Sequence, residues 1–243
     1  MKKYKVKYRN IAMLILALSF LTFTMTGLGL YRTRAALTPL NEDVVGELDV
    51  TGLSVVLEEN KKVVANGGEL LGDLKDALEL GKKYEEDIRV KNNGDASEYV
   101  RVIVTKYWTK DGEKVAEMDP SLIKLTFNND EYNKGSWKLN EKEYKKADKQ
   151  EKFVYYCLNG LKSSEESAPL FSHISIDAKA GDQYDVAQEG NVITYSYAYD
   201  GYEAEVKVEV QSVQTSHGTE AIKSVWGVTN VTADDGSLKL TVN

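Results

Sequence analysis

Few side chains in this 243-residue sequence have the types and spacing that chemistry requires. Its two histidines, His173 and His217, lie far apart and lack the H-E-x-x-H spacing of zinc proteases. The single cysteine, Cys157, lies in the strand-like stretch FVYYCL, which favours a buried small hydrophobe over a reactive thiol. No hydrolase elbow or phosphate-binding loop occurs. We therefore expect no catalytic residue, no metal site and no cofactor.

Paired carboxylates are the remaining candidates for binding a metal ion. Glu85-Glu86, Glu165-Glu166 and Asp234-Asp235 could hold calcium weakly at a surface, but none has the spacing of a dedicated calcium loop. Solvated surface charge is the simpler interpretation of each pair. Fifteen tyrosines and three tryptophans suit either a packed core or an adhesive assembly face.

The element that must organise these residues is the stretch EYVRVIVTKYW at residues 98–108. β-Branched and aromatic residues at period two predict a long strand here. Lys106 interrupts its apolar face, so we expect that end to reach the sheet margin, with the ammonium group in water. The expected partners are residues 84–91 upstream and a hairpin through Asp111-Gly112 downstream. The apolar face consists of Val100, Val102, Val104 and Trp108.

Period-two alternation recurs along the rest of the chain. The clearest predicted hairpin joins residues 191–199 to 202–210 through the turn Asp200-Gly201. In its second strand Glu203, Glu205, Lys207 and Glu209 are expected to face water. Further strands are predicted at residues 53–57, 122–127, 153–158, 171–178 and 238–242.

Helical spacing occurs twice, at residues 68–80 and 219–226, and Gly227 is placed to cap the second helix. Residues 128–152 are charged and weakly patterned, which predicts a solvated excursion anchored by Trp137 and Tyr144. About ten strands without a βαβ rhythm predict an all-β fold. We expect an antiparallel β-sandwich, jelly-roll-like, with one or two short helices.

The N-terminus has the layout of a secretory signal. Basic residues at positions 2–9 precede an uncharged apolar run at residues 11–30, and small residues follow it. We assign residues 1–36 to a signal peptide and residues 37–243 to one domain. A retained membrane anchor is the alternative, since the run is near the ~20 residues that span a bilayer.

Charge limits the partners of the exported part. Residues 37–243 carry 24 basic and 38 acidic side chains, a net charge of −14. Nucleic acid and anionic lipid repel such a domain, so neither is expected as a partner. Contact with a membrane is expected only through the leader before cleavage.

Four features, in this order, carry a resemblance to a known family. They are the leader, the stretch VKNNGDASEYVRVIVTKYW at residues 90–108, the pair Tyr155-Tyr156 before LNGL, and the ending VQ followed by AIKSVWG. Together they resemble the TasA and camelysin family of exported Gram-positive biofilm matrix proteins, which includes clostridial pilin-like members. The basic end of the leader, residues 30–34, and the tail beyond Val228 depart from the pattern. The residues that carry the match are Asn93, Gly94, Tyr99, Arg101, Trp108, Gln214, Trp226 and Gly227.

The resemblance implies a jelly-roll sandwich that is secreted to the extracellular matrix or cell surface and assembles into fibres. The expected partner is a second copy of the chain, with other matrix proteins as further candidates. Residues 37–50 precede the first firm strand and could be added to a sheet edge of a neighbour. The apolar side chains of this donor segment are Leu37, Leu40, Val44, Val45 and Leu48.

Two alternatives to a matrix protein stay open. The first is a secreted metalloprotease, because camelysin is described as one, although two distant histidines supply no familiar zinc site. The second is a surface adhesin, which would need an exposed aromatic cluster at one end of the sandwich.

Overall fold

The computed structural model describes residues 54–70, 78–127, 135–182, 184–189, 192–197 and 199–243. All of them belong to one compact unit, residues 47–243. The predicted signal peptide, the donor segment and residues 71–77 of the first predicted helix lie outside the described residues. Within the described ranges, no helix is long and apolar enough to cross a membrane.

The described chain is mainly β-strand, with one α-helix and two short 3-10 turns at Pro120–Leu122 and Ala178–Asp182. In chain order the elements are β1 (Val55–Glu59), β2 (Lys62–Val64), β3 (Gly68–Leu70), β4 (Lys83–Glu85), β5 (Ile88–Asn92), β6 (Glu98–Lys110), β7 (Glu113–Val115), β8 (Ile123–Thr126), β9 (Trp137–Leu139), β10 (Lys145–Ala147), β11 (Gln150–Cys157), β12 (His173–Ile176), β13 (Tyr184–Glu189), β14 (Val192–Tyr197), β15 (Tyr202–Gln214), α1 (Gly218–Trp226), β16 (Val231–Asp234) and β17 (Lys239–Val242).

The long strand predicted at residues 98–108 is confirmed as β6, the centre of a seven-stranded antiparallel sheet. The strand order is β10-β11-β6-β15-β3, with β7 beside β6 and β9 beside β11. Val104 lies between Phe153 on one side and Val208 on the other. The downstream hairpin to β7 is confirmed, but the upstream segment pairs elsewhere, since β5 joins β1.

The large sheet packs against two smaller sheets, β2-β1-β5 and β4-β12-β8, so the predicted all-β sandwich is confirmed. Valines at alternate positions of β6 and β15 supply one wall of the core, because their side chains share a face. The two smaller sheets form the facing wall, which is apolar because their apolar side chains also share a face. Its buried residues include Leu57, Ile88, Val90, Ile123, Ile174 and Ile176.

A second core lies on the opposite face of the large sheet. Tyr99, Ile103 and Val154 point to this side, where α1 and the β16-β17 hairpin cover them. Ile222 of α1 is fully buried there. The prediction of α1 is confirmed, and Gly227 ends it in the left-handed conformation, with φ of 68°.

The position of Lys106 contradicts the prediction that this end of β6 reaches the sheet margin. β11 and β15 flank β6 at this position, so it lies inside the sheet, and the side chain is only 5% exposed. Its ammonium group is satisfied inside the protein, where it donates to the carbonyl oxygen of Ile123 at 2.7 Å and pairs with Glu151. Burial of this lysine therefore depends on specific polar partners.

The predicted hairpin through Asp200-Gly201 is wrong. A turn does form there, but β14 pairs with β13, while β15 pairs with β6 along its entire length. All thirteen residues of β15 pair with β6, whereas β14 is too short to offer an apolar partner of that length. Of the four residues predicted to face water, Glu203 is exposed and Lys207 and Glu209 are half-buried, whereas Glu205 is only 3% exposed.

Two further predictions fail in part. Residues 68–70 form strand β3 rather than helix, because Leu70 lies opposite Val206 and is buried in the core. The charged stretch at residues 128–152 contains β9, β10 and the start of β11 rather than a plain excursion. Its predicted anchor Trp137 is buried and donates to the carbonyl oxygen of Ala168 at 2.7 Å.

Candidate assembly surface

The residues that could have done chemistry serve structural contacts. His173 contacts the Ser172 hydroxyl at 2.9 Å, and His217 contacts the Ser216 hydroxyl at 3.1 Å. Cys157 is 2% exposed, and burial raises its pKa to about 12, so the thiolate is disfavoured at neutral pH. Among the described residues, no three His, Cys, Asp or Glu side chains are grouped as a metal would need.

The acidic pairs are surface charges, as expected, except at Glu86: Glu85, Glu165, Glu166, Asp234 and Asp235 are exposed. Glu86 is 3% exposed and accepts a hydrogen bond from Asn60 Nδ2 at 3.0 Å. Asp235 accepts from the backbone N–H of Gly218 at 3.1 Å, which satisfies a free donor at the N-terminus of α1. Asp234 accepts from the Ser237 hydroxyl at 2.7 Å. These carboxylates stabilise turns and a helix end.

Arg101 is the centre of a polar cluster beside the second core. Its Nε donates to Gln211 Oε1 at 2.9 Å, and its Nη1 donates to Glu143 Oε1 at 3.0 Å. Nη1 also donates to the Tyr156 hydroxyl at 3.1 Å, and that hydroxyl donates to Glu143 Oε2 at 2.6 Å. The guanidinium lies over the ring of Trp226. The cluster thus ties α1 to the large sheet.

The other residues of the family resemblance lie at four separate places. Tyr99 lies beside the Arg101 cluster and donates to the carbonyl oxygen of Asp234 at 3.2 Å. Asn93 donates its backbone N–H to Ser54 at the start of β1, as does Gly94. Trp108 lies at the far end of β6 and donates to the carbonyl oxygen of Asp119 at 3.0 Å. Gln214 is an exposed residue opposite Glu98. These residues hold elements together and do not form one site.

An open strand edge is the feature that the sequence did not reveal. Strand β8 is the last strand of the β4-β12-β8 sheet, and no described strand pairs with its outer side, where the carbonyl oxygen of Ile123 accepts from Lys106. The backbone N–H of Asp177 donates to the carbonyl oxygen of Leu122. Peptide groups alternate in direction along a strand, so those of Leu122, Lys124 and Thr126 point to β12. The N–H and C=O groups of Leu125 therefore point away from the sheet.

A groove of about 300 Å³ lies next to this edge, between β8 and β11. Three aromatic rings line it, and they contact one another in series. The ring centres of Phe127 and Tyr155 are 5.0 Å apart, and those of Tyr155 and Phe153 are 6.2 Å apart. The other lining residues are Lys106, Ser121, Lys124, Leu125 and Glu151.

An ion pair forms one end of the groove. Lys106 Nζ lies 2.7 Å from Glu151 Oε2, and the Tyr144 hydroxyl donates to Glu151 Oε1 at 2.7 Å. Burial lowers the pKa of Lys106. Burial would raise the pKa of Glu151, but the hydrogen bonds from Lys106 and Tyr144 outweigh it, and the net shift is downward. Lys124 lies at the rim of the groove, where its side chain is about half exposed and adds a second positive charge.

The groove combines an open main-chain edge, an aromatic lining and a cation at the rim, so an extended segment with apolar and acidic residues fits its chemistry. Alternation at residues 122–127 did predict strand β8. Only the three-dimensional pairing could show which strand would lie at the edge. The predicted donor residues Leu37, Leu40, Val44, Val45 and Leu48 lie outside the described residues.

Searches with this chain against family models, curated proteins and solved structures returned no match.

Proposed function

We propose that this protein is an exported structural protein that self-assembles into extracellular fibres of a biofilm matrix. In this proposal residues 37–50 of one copy are added as a strand to the open edge of β8 in the next copy. The observation that carries it is the outward-facing peptide edge of Leu125 beside the aromatic groove. An uncovered edge of this kind is where β-strand addition takes place.

The composition of the donor segment complements the groove. Its sequence, LTPLNEDVVGELDV, offers six aliphatic side chains for the aromatic lining, the five of the predicted donor set and Val50, and four carboxylates for the rim. Lys124 presents an ammonium group there, and its contact with Asp177 is long, at 3.4 Å, and exposed. Pro39 lacks a backbone N–H, so strand pairing would start after it.

The geometry of strand addition makes the assembly open-ended. The donor segment and the acceptor edge are different parts of the chain, so the contact between copies is head-to-tail. Such a contact closes into a ring only if its rotation permits; otherwise it extends as a fibre. The same segment could instead fill the groove of its own copy, which would leave a monomer.

The deciding comparison is between protein starting at Leu37 and protein starting at Gly52. Sedimentation and electron microscopy should show fibres from the longer protein and monomers from the shorter one. If the shorter protein polymerises equally well, residues 37–50 are not the donor.

A matched pair of substitutions at Leu125 tests the acceptor edge. Leu125→Pro removes an N–H that points outward, so the ladder to β12 keeps its hydrogen bonds while the edge loses a donor. Leu125→Ala shortens the same side chain but retains the N–H. We expect the proline variant to stay folded and monomeric and the alanine variant to polymerise. Equal polymerisation of both variants would exclude this edge.

A further inference from the structure

The sequence contains three asparagine-glycine pairs, at residues 66–67, 93–94 and 159–160. Such pairs are especially prone to spontaneous deamidation, because glycine has no side chain to hinder its backbone nitrogen. All three asparagines are exposed, so water and hydroxide reach their side chains. Solvent exposure therefore gives these pairs no protection.

Deamidation begins at the backbone nitrogen of the glycine. This nitrogen loses its proton to hydroxide and attacks the asparagine Cγ. The N–Cγ bond forms, the Cγ–Nδ2 bond breaks, and ammonia leaves after taking a proton from water. The resulting succinimide ring takes up water and opens to aspartate or isoaspartate. The reaction therefore needs a glycine N–H that hydroxide can reach and that can turn toward Cγ.

Two of the three glycine N–H groups donate to carbonyl oxygens on distant strands or turns. Gly67 donates to Val208 at 2.9 Å, and Gly160 donates to Leu238 at 2.7 Å. Each bond joins residues far apart in the chain, so the N–H is released only when two parts of the fold separate locally. Neither N–H is available to hydroxide while the fold is closed.

The remaining pair, and the asparagine of the first, are each held by two hydrogen bonds. The N–H of Gly94 donates to the carbonyl oxygen of Ser54 at 3.1 Å and to Asn92 Oδ1 at 2.8 Å. The side chain of Asn66 donates to the carbonyl oxygen of Val210 at 3.0 Å and accepts from its N–H at 2.7 Å. The Asn66 amide is thereby held on β15, away from the nitrogen that would attack it.

We infer that the fold protects all three pairs from deamidation by holding the glycine N–H groups in hydrogen bonds. The reaction then proceeds only during the small fraction of time in which a site is open. Isoaspartate would lengthen the main chain by one carbon atom, and at Gly160 even an added Cβ would lie 3.2 Å from the Tyr99 ring. Protection thus preserves contacts that join separate elements, and it does not rest on the proposed function.

The turn between β6 and β7 supplies a matched control in the same molecule. Asp111 and Gly112 have φ angles of 53° and 80°, which an asparagine-glycine turn adopts readily, so Asp111→Asn should fold like the wild type. No described residue accepts a hydrogen bond from the N–H of Gly112. A Cβ added at Gly112 would meet no atom within 4 Å. The substitution therefore creates a fourth pair whose glycine nitrogen is open to hydroxide.

Incubation of the Asp111→Asn protein in mildly alkaline buffer, with and without urea, tests the inference. Mass spectrometry of its peptides measures conversion at each pair. In the folded protein we expect the new pair to convert at least about tenfold faster than the three native pairs, and in urea we expect similar rates at all four. Native pairs that convert as fast as the new pair in the folded protein would overturn the inference. Slow conversion of the native pairs in urea would overturn it as well, because the flanking sequence rather than the fold would then protect them.

Discussion

The guanidinium carbon of Arg101 lies 4.9 Å from the ring centre of Trp226, so a residue of the central strand contacts the last residue of the helix. Arg101 also pairs with Glu143 in a site where the two side chains are 10% and 21% exposed. We expect Arg101→Ala to lower the free energy of unfolding by about 3 kcal/mol, because it leaves a largely buried carboxylate without its cation.

Urea denaturation measures this loss. Arg89→Ala is the matched control, since Arg89 pairs with Asp87 at a more exposed position, with both side chains 29% exposed. Exposed pairs contribute about 1 kcal/mol or less. A loss at Arg101 no larger than the loss at Arg89 would contradict a central role for the cluster.

The Arg101 cluster also shows how far the sequence could predict the site. Alternation placed Tyr99 and Arg101 on one face of β6, and helical spacing with Gly227 predicted α1. Neither pattern could show that Glu143 and Gln211 would reach the same guanidinium, because those contacts join residues 42 and 110 positions away from Arg101.

Predictions from the local sequence pattern were wrong where strand pairing depends on residues that are distant in sequence. The stretch at residues 202–210 alternates so regularly that a hairpin with its neighbour was expected, yet β6 offered a thirteen-residue partner. Lys106 was expected in water, because its burial depends on Ile123 and Glu151 from other strands. Edge position is likewise a property of the whole sheet, so the open side of β8 could not be predicted from its sequence.

Glu151 should give the protein a measurable sensitivity to acid. Its pKa in the folded protein lies below its ordinary value of 4.5: burial acts against this shift, and the bonds from Lys106 and Tyr144 outweigh burial. A carboxyl group whose pKa is lower in the folded than in the unfolded protein adds stability at pH values above its unfolded-state pKa. This stability is lost as the pH falls through its folded-state pKa. We expect the free energy of unfolding to decrease below about pH 4.5.

Urea denaturation of wild type and Glu151→Gln across this pH range checks that contribution. The variant should be less stable at neutral pH, because Lys106 loses its partner, and its stability should decline less steeply in acid. Asp119, Asp177 and Asp234 also have lowered pKa values, so both proteins retain some acid dependence. Identical slopes would show that Glu151 contributes nothing to it.

Gly218, the first residue of α1, lies too close to its neighbours to accept a side chain. An added Cβ would contact the Tyr99 ring, lie 2.7 Å from Asp235 Oδ1 and lie 2.8 Å from Ala233 Cβ. Overpacking of this kind costs about 1–3 kcal/mol, and we expect Gly218→Ala to fall at the upper end. Gly236→Ala is the control, because its nearest neighbour would be 3.4 Å away. Similar melting temperatures for the two variants would contradict the tight packing.

The charge of Lys124 should control the rate of assembly if residues 37–50 enter the groove next to β8. Lys124→Glu reverses the rim charge that faces the carboxylates of the donor segment, so polymerisation followed by light scattering should slow. Glu47→Lys reverses a carboxylate of that segment and should slow assembly as well. The double variant, with both charges exchanged, should recover part of the lost rate, whereas Lys62→Glu on β2 should leave the rate near that of wild type. Rates that simply decline further in the double variant would show that Lys124 and the donor segment do not meet.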